Sequence, residues 1–396
     1  MIMKKKIAIY NLNTYPEMSG GSERSCLELA KELKENGEDV SVITLNPFKS
    51  GFSDFVYEGI NIHKLPLLNL YWPTLKKKRS LILKAAWNVI DIFNIPMVLL
   101  LCIWLKKRHY NVVHTNNIKG ASPWIFPMLK VFGFRVVHTT RDFYLLDNGS
   151  WYRDLSSEHN DIKTRIKRLN KLWCANFVDC AVFNSQYMKD YHTACGFFKK
   201  SDKKVIYNGF DPGKYFKSME SNVDIKIFGY IGRLSPEKGL DILFDNFVRF
   251  EPNLYKLVIA GATKDEFITA YPERESILNQ RNDVVFIGTV DNTKFYEKVD
   301  CVIVPSKYNE PFGRVAMEAI FMGKPVIVSN SGGLPEQIVP GVHGVICSND
   351  DYHSAMQEII IKMQMLPSRD FKSPDLTKFT LNFSAKEYLA AYSEGK

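Results

Sequence analysis

Short apolar runs alternate with amphipathic helical spans along this chain, and that alternation leaves few folds open. Residues 7–11 read as a strand that leads into a loop ending Ser19-Gly20-Gly21. A helical span over 22–36 carries Cys26, Leu29, Ala30 and Leu33 at helical spacing, stops at Gly37, and gives way to a second strand at 40–45. Further strands read at 112–114, 135–139 and 178–183. Strands joined through helices must run parallel, so this half predicts a doubly wound parallel sheet. Residues 50–75 are less regular and suit either a hairpin or an irregular crossover.

The pattern restarts beyond the turn-forming segment Asn208-Gly209-Phe210-Asp211-Pro212-Gly213, the best hinge candidate. Strands follow at 225–231, 256–260, 284–287, 301–304 and 325–329. A length of 396 residues suits two domains, each with its own core. The expected fold class is therefore α/β, with two Rossmann-like domains divided near residues 205 and 206.

Composition closes several function classes. Seven cysteines, an odd number without a C-x-x-C pair, argue against a disulfide framework or zinc site and for a reducing compartment. The N-terminus is basic and then apolar, but its apolar run is too short for a signal peptide. The longest apolar run, 95–105, falls short of the roughly 20 residues a spanning helix needs. A cytoplasmic location is expected.

The net charge of +9 is unevenly placed. Between Lys76 and Arg108 lie eight basic residues and one acid, Asp91, interleaved with Leu75, Leu81, Ile82, Trp87 and Trp104. A second span, 162–173, sets Ile162, Ile166, Leu169 and Trp173 on one face and five cations around the other. Basic amphipathic segments with tryptophan can lie on an anionic membrane surface; the alternative is helices covering a sheet with solvated charges. No nucleic-acid module accompanies the charge, so nucleic acid is not an expected partner.

Chemistry concentrates in Pro305-Ser306-Lys307-Tyr308-Asn309-Glu310-Pro311-Phe312-Gly313-Arg314-Val315-Ala316-Met317-Glu318. A strand turning straight into a helix presents unpaired N–H groups around Phe312 to Val315 at the positive end of the helix dipole, a natural phosphate site. Glu310 lies just outside that end, where it can accept from hydroxyls, and Glu318 lies deeper, where it can chelate a vicinal diol. In isolation, two glutamates so spaced are more often a helix cap and a solvated acid. The surroundings reverse that reading. The stretch resembles the Glu-x7-Glu signature of the retaining glycosyltransferases of group 1, or family four, which have the GT-B fold of two domains facing across a cleft. Gly323-Lys324-Pro325-Val326-Ile327 and Ser331-Gly332-Gly333-Leu334-Pro335-Glu336 continue the family pattern.

The resemblance implies site roles residue by residue. Glu310 would contact donor-sugar hydroxyls and Glu318 the nucleotide ribose, with Phe312 and Gly313 between them. Gly232-Arg233-Leu234-Ser235-Pro236-Glu237-Lys238-Gly239 resembles the family's G-R-L-x-x-E-K-G element. It would bring Arg233 and Lys238 to the diphosphate as a fork and a point charge, stabilising the leaving group. Gly20 and Gly21, within Gly-Gly-x-Glu-Arg, resemble the donor-phosphate loop. On the acceptor side His114 would point into the cleft beside Arg141 and Asp142. Many family members carry His-Asp where this chain has Arg141-Asp142, so no catalytic histidine carries over, and arginine is no base at neutral pH.

Residues 1–205 would bind the acceptor, with a last helix (380–396) packing back on them, and 206–379 would bind the donor. The implied reaction moves a hexose from a UDP- or GDP-sugar to a glycan or polyprenyl-linked acceptor, retaining anomeric configuration, at the inner face of a membrane. No Asp-x-Asp motif occurs, so no metal cofactor is expected. A sugar-nucleotide epimerase on the same fold, or an inactive binding subunit, is the alternative.

Overall fold

The computed structural model describes residues 5–17, 20–73, 79–146, 162–215, 225–365 and 374–393. Lys76, Lys77, Lys78 and Leu75 therefore lie outside the described residues, as do the side chains of Ile162 and Ile166. The chain divides into two compact units. One comprises Met1–Phe210 with Lys378–Lys396, the other Asp211–Thr377.

The first unit is built on eight strands: β1 (Lys6–Tyr10), β2 (Asp39–Asn46), β3 (Ser53–Tyr57), β4 (Ile60–Pro66), β5 (Val112–Thr115), β6 (Arg135–Thr140), β7 (Cys180–Phe183) and β8 (Asp202–Val205). Their order is β3-β4-β2-β1-β5-β6-β7-β8. Every pairing is parallel except the β3–β4 hairpin, which settles the irregular stretch after residue 50 in favour of a hairpin. Alternate residues of β1 serve opposite layers, as strand geometry requires. Ile7 and Ile9 pack with the helices Gly21–Glu35 and Leu381–Ser393, whereas Ala8 and Tyr10 join the core under Ile95–Lys107 and Ile125–Val131. Burial on both faces explains why these strands read as continuous apolar runs.

The last helix is an integral layer of this unit. Its terminal carbonyls accept from cations, as a helix C-terminus favours: Lys5 Nζ reaches Tyr392 O at 3.1 Å and Arg135 Nη2 reaches Ala391 O at 2.7 Å. His114 belongs to the same contact. It does not point into a ligand site; its ring is fully buried, with Nε2 2.7 Å from Thr139 Oγ1 and Nδ1 2.8 Å from Tyr392 Oη. Burial, reinforced by the positive charge of Arg141, holds its pKa well below the usual histidine range. A neutral imidazole bridging two neutral hydroxyls is a packing element, so the acceptor-side expectation for His114 is corrected.

Trp87 and Trp104 also depart from expectation. Both are buried, Trp87 donating to Tyr71 O at 2.9 Å and Trp104 packing in the sheet's core. On helix Leu81–Ile92 the buried side carries Trp87 and Asp91 and leaves leucine and isoleucine outward.

The second unit has six strands: β9 (Ile227–Ile231), β10 (Lys256–Ala260), β11 (Val284–Gly288), β12 (Cys301–Val304), β13 (Val326–Ser329) and β14 (Gly344–Cys347). They are all parallel, in the order β11-β10-β9-β12-β13-β14. The chain winds outward from β9 in one direction and then from β12 in the other. The strand order thus reverses between β9 and β12, the place where open α/β sheets take ligands at the strands' carboxyl ends. The short edge strands β8 and β14 are absent from the sequence reading.

Asp91 gives the first unit a pH signature. Its carboxylate accepts from Gly120 N and Tyr144 Oη, both at 2.6 Å, yet burial outweighs these bonds and raises its pKa to about 6. A raised carboxyl pKa stabilises the fold below its ordinary value near 3.8, and that stabilisation is lost as pH rises through about 6. Asp91→Asn should therefore abolish a pH-dependent loss on the order of 2–3 kcal/mol between pH 4 and 7. Melting curves of wild type and variant across that range check it; parallel pH profiles would contradict the assignment.

Candidate active site

Two loops leave the carboxyl ends of β9 and β12 and are laced together. The first turns through Pro236–Lys238 to Gly239, which has φ +69°. A Cβ on Gly239 would stand 1.9 Å from Pro305 O, so only glycine lets the loops approach this closely. Lys307 N donates to Glu237 O at 2.9 Å, and Lys307 Nζ reaches Asp241 Oδ2 at 2.6 Å. These contacts deliver Lys238 to Glu310, with Nζ 2.7 Å from Oε1.

Glu310 is 6% exposed and fully engaged. Its Oε1 also accepts from Ser306 Oγ at 2.8 Å, and its Oε2 from Tyr308 Oη at 2.7 Å. Burial pushes the carboxyl pKa up, but Lys238 and the two hydroxyls outweigh it and hold the group below the usual glutamate range. Glu310 is thus an obligate carboxylate at neutral pH, not a helix cap. Its backbone is fixed from the far side, where Gly333 N donates to Glu310 O at 2.8 Å. Gly332, at φ +59°, lies so close that a Cβ would stand 2.3 Å from the same oxygen.

Helix Arg314–Phe321 starts at Gly313, whose φ of +86° and approach to Leu334 both exclude a side chain; no side chain caps the helix. Phe312 is buried, and its carbonyl accepts from Gln337 Nε2. Glu318, the acid expected to hold the ribose diol, lies deep in the structure. It is 1% exposed, its Oε1 accepting from Arg314 Nε at 3.1 Å and its Oε2 from Asn292 Nδ2 at 2.8 Å and Tyr296 Oη at 3.0 Å. Arg233 is exposed; burial and the Glu310 carboxylate push the nearby Tyr308 phenol well above its ordinary pKa, and the Arg233 charge opposes them only in part.

The structure brings Lys238 and Glu310 into contact and adds partners that motif reading passed over. Tyr308 and Ser306 lie within four residues of Glu310, and Arg314 is four before Glu318, a readable helical pair. Asn292 and Tyr296 come from a separate helix, Asn292–Glu297, and leave no local signal.

In the first unit, Gly20 is the N-cap of helix Gly21–Glu35, extended at φ −153°, and the buried acid Glu23 lies in the helix's first turn. Arg141 follows β6 and is buried. Its Nε donates to Asn116 Oδ1 at 2.7 Å, and its Nη1 donates to Asn208 Oδ1, tying the ends of β5 and β6 to the departing chain. Asp142 accepts from Tyr144 N at 2.9 Å, and burial raises its pKa.

Comparison with known proteins follows the same division. Residues 213–369 match the model for glycosyl transferases group 1, and residues 19–214 match that for glycosyltransferase family 4. The chain belongs to the group 1 glycosyltransferases. It is 33% identical over 349 residues to an uncharacterized 42.6 kDa protein in the cps region of Klebsiella pneumoniae, covering 85% of this chain and 89% of that one. It is 30% identical over 158 residues to lipopolysaccharide 1,2-N-acetylglucosaminetransferase of Salmonella typhimurium, covering 35% of this chain and 42% of the relative. The structure of Anabaena Alr3699/HepE in complex with UDP and glucose superposes with a TM-score of 0.68 at 20% identity, over 99% of this chain and 100% of that one. The fold of this glycosyltransferase is GT-B.

Two predictions test the site's construction. Glu318→Ala would leave the Arg314 guanidinium buried without its carboxylate, at a cost of about 3–5 kcal/mol. Glu318→Gln, which keeps an acceptor, should lose clearly less, and equal denaturation midpoints for the two would contradict this. Gly332→Ala should lower stability by at least about 1 kcal/mol through its positive φ and its clash. It should also reduce turnover, because relief of the clash moves Glu310; an assay showing unimpaired transfer would refute that coupling.

Proposed function

We propose that this glycosyltransferase moves a hexose from a UDP- or GDP-sugar, with retention of configuration, to a lipid-linked acceptor in surface polysaccharide or lipopolysaccharide assembly. The observation that carries the reading is Glu310, kept anionic by Lys238, Tyr308 and Ser306 at the reversal between β9 and β12. A carboxylate accepts from sugar hydroxyls, and an ammonium 2.7 Å away is free to exchange it for a phosphate oxygen. Arg233 adds a second, exposed cation, and the uncapped helix start at Gly313 adds N–H donors; together they oppose charge developing on the leaving diphosphate. Glu318 would accept from the ribose hydroxyls. The helix start at Gly20 and Gly21 is proposed for a further anionic group, and Arg141 and Asp142 for the acceptor side.

In a retaining reaction the acceptor oxygen attacks on the face the diphosphate leaves. The departing phosphate oxygen then takes the acceptor proton, so no strong protein base is required. Cations and N–H donors serve the role a metal would, and chelators should leave the rate unchanged. The Klebsiella and Salmonella relatives support a surface-glycan acceptor, and the UDP-bound neighbour supports a uridine nucleotide. A lipid-linked acceptor and the basic stretch before Arg108 support work at an anionic membrane surface on its cytoplasmic side.

Thermal-shift screening of UDP- and GDP-sugars identifies the donor, since a ligand at about 100 times its dissociation constant stabilises by roughly 2.7 kcal/mol. With that donor, Glu310→Gln should fold normally and lose at least about 100-fold in turnover. NMR of the product should show the donor's anomeric configuration. Near-normal rates in the variant, or an inverted product, would overturn the reading.

A further inference from the structure

Helices Leu81–Ile92 and Ile95–Lys107 meet at a 44° bend and together are long and apolar enough to resemble a broken membrane span. Their packing forbids spanning. Met97, Val98, Leu101 and Leu105 are buried in the first sheet's core and Trp87 is buried against Tyr71, while Asp91 and Asn94 pin the bend to Gly120 N and Leu68 O. What remains outward is an aliphatic stripe on each helix. Ile82, Val89 and Phe93 are 82%, 61% and 56% exposed, and Leu99 and Ile103 continue the stripe at helical spacing on the second helix.

The neighbouring helices extend this surface. Helices Ile95–Lys107, Ile125–Val131 and Ile162–Ala175 share one core of the first unit and pack on one another in that order. Val131 ends helix Ile125–Val131 fully outward, and Leu169 and Trp173 stand exposed one turn apart on helix Ile162–Ala175. Asn170 Nδ2 reaches Ile92 O at 3.5 Å, which joins this helix to the bend, and Trp173 packs on Trp124 with ring centroids 5.3 Å apart. Contiguous apolar surface of this kind marks an interaction site.

The charge around the patch selects the partner. Lys84, Lys106 and Lys107 are exposed around it, Lys130 is ion-paired with Asp179, and Asp91, the only acidic residue between Arg79 and His138, is buried. Two copies meeting through this face would set lysine against lysine. A second copy is therefore disfavoured, and a surface of phosphates over acyl chains is matched in both charge and polarity. We infer that the first unit docks on anionic bilayers by inserting the Ile82–Val89–Phe93 and Leu99–Ile103 stripes below the headgroups, with the lysines at phosphate level. The inference rests on the membrane-surface reading above and adds insertion to adsorption: binding must then outlast salt that screens charge.

The test is co-sedimentation of the full chain with phosphatidylcholine vesicles with and without about 30% phosphatidylglycerol, at about 0.15 M and 0.5 M salt. The variant is Ile82→Glu/Val89→Glu/Ile103→Glu, its fold checked by circular dichroism and melting. Wild type should bind the anionic vesicles and keep a substantial share of that binding at high salt, while the triple variant binds at least about tenfold more weakly under both conditions. Equal binding by variant and wild type, with wild-type binding vanishing at high salt, would remove insertion and leave the adsorption reading standing. No wild-type binding at low salt would remove both. A wild-type dimer in sedimentation velocity that becomes monomeric in the triple variant would assign the face to a second copy and overturn the inference.

Discussion

The contact between Lys238 and Glu310 is the interaction around which the second unit's chemistry is organised. An ion pair this buried is costly to assemble unless every remaining lone pair finds a donor. Tyr308 and Ser306 meet that condition from within the same loop as Glu310. The pair also joins two segments that approach only because glycines at 239 and 332 let backbone meet backbone. Parallel strand order determines where this happens, since β9 and β12 are adjacent in space and their following loops diverge to opposite faces.

Much of the architecture was legible from residues because parallel strands buried on both faces declare themselves as unbroken apolar runs. The cores at 256–260 and 301–304 coincide with β10 and β12. The edge strand β8 was not legible, since Asp202-Lys203-Lys204-Val205 is polar and half exposed and has no run to declare. Site chemistry divided in the same way. Residues within one loop or one helical turn of each other, such as Glu310 with Ser306 and Tyr308 or Arg314 with Glu318, leave a local trace. Asn292 and Tyr296 reach Glu318 across more than twenty residues, and no local pattern encodes that.

Tertiary packing also overrode residue-type expectation. Trp87 and Trp104 suggested interfacial anchors by type, but a helix covering a sheet buries its largest ring and turns the aliphatic residues out. His114 suggested an active-site histidine by position, yet its strand neighbours and the last helix enclose it. In both cases the deciding fact was which side of an element faces the sheet, a property that spacing predicts only once the sheet's own layers are known.

The C-terminal helix has a consequence for how the molecule is made. Ala385, Tyr388, Ala391 and Tyr392 complete the core beneath β1 and β5, and Tyr392 bonds His114 across 278 residues of chain. During synthesis, everything in the second unit emerges before that layer does. The N-terminal unit, although translated first, can close its core only after the last helix leaves the ribosome, reversing the usual N-terminal-first order of domain folding. Until then the surface of β1, β5 and β6 awaiting that helix remains uncovered, and a chain cut short before residue 381 carries a complete second unit beside a permanently open first one.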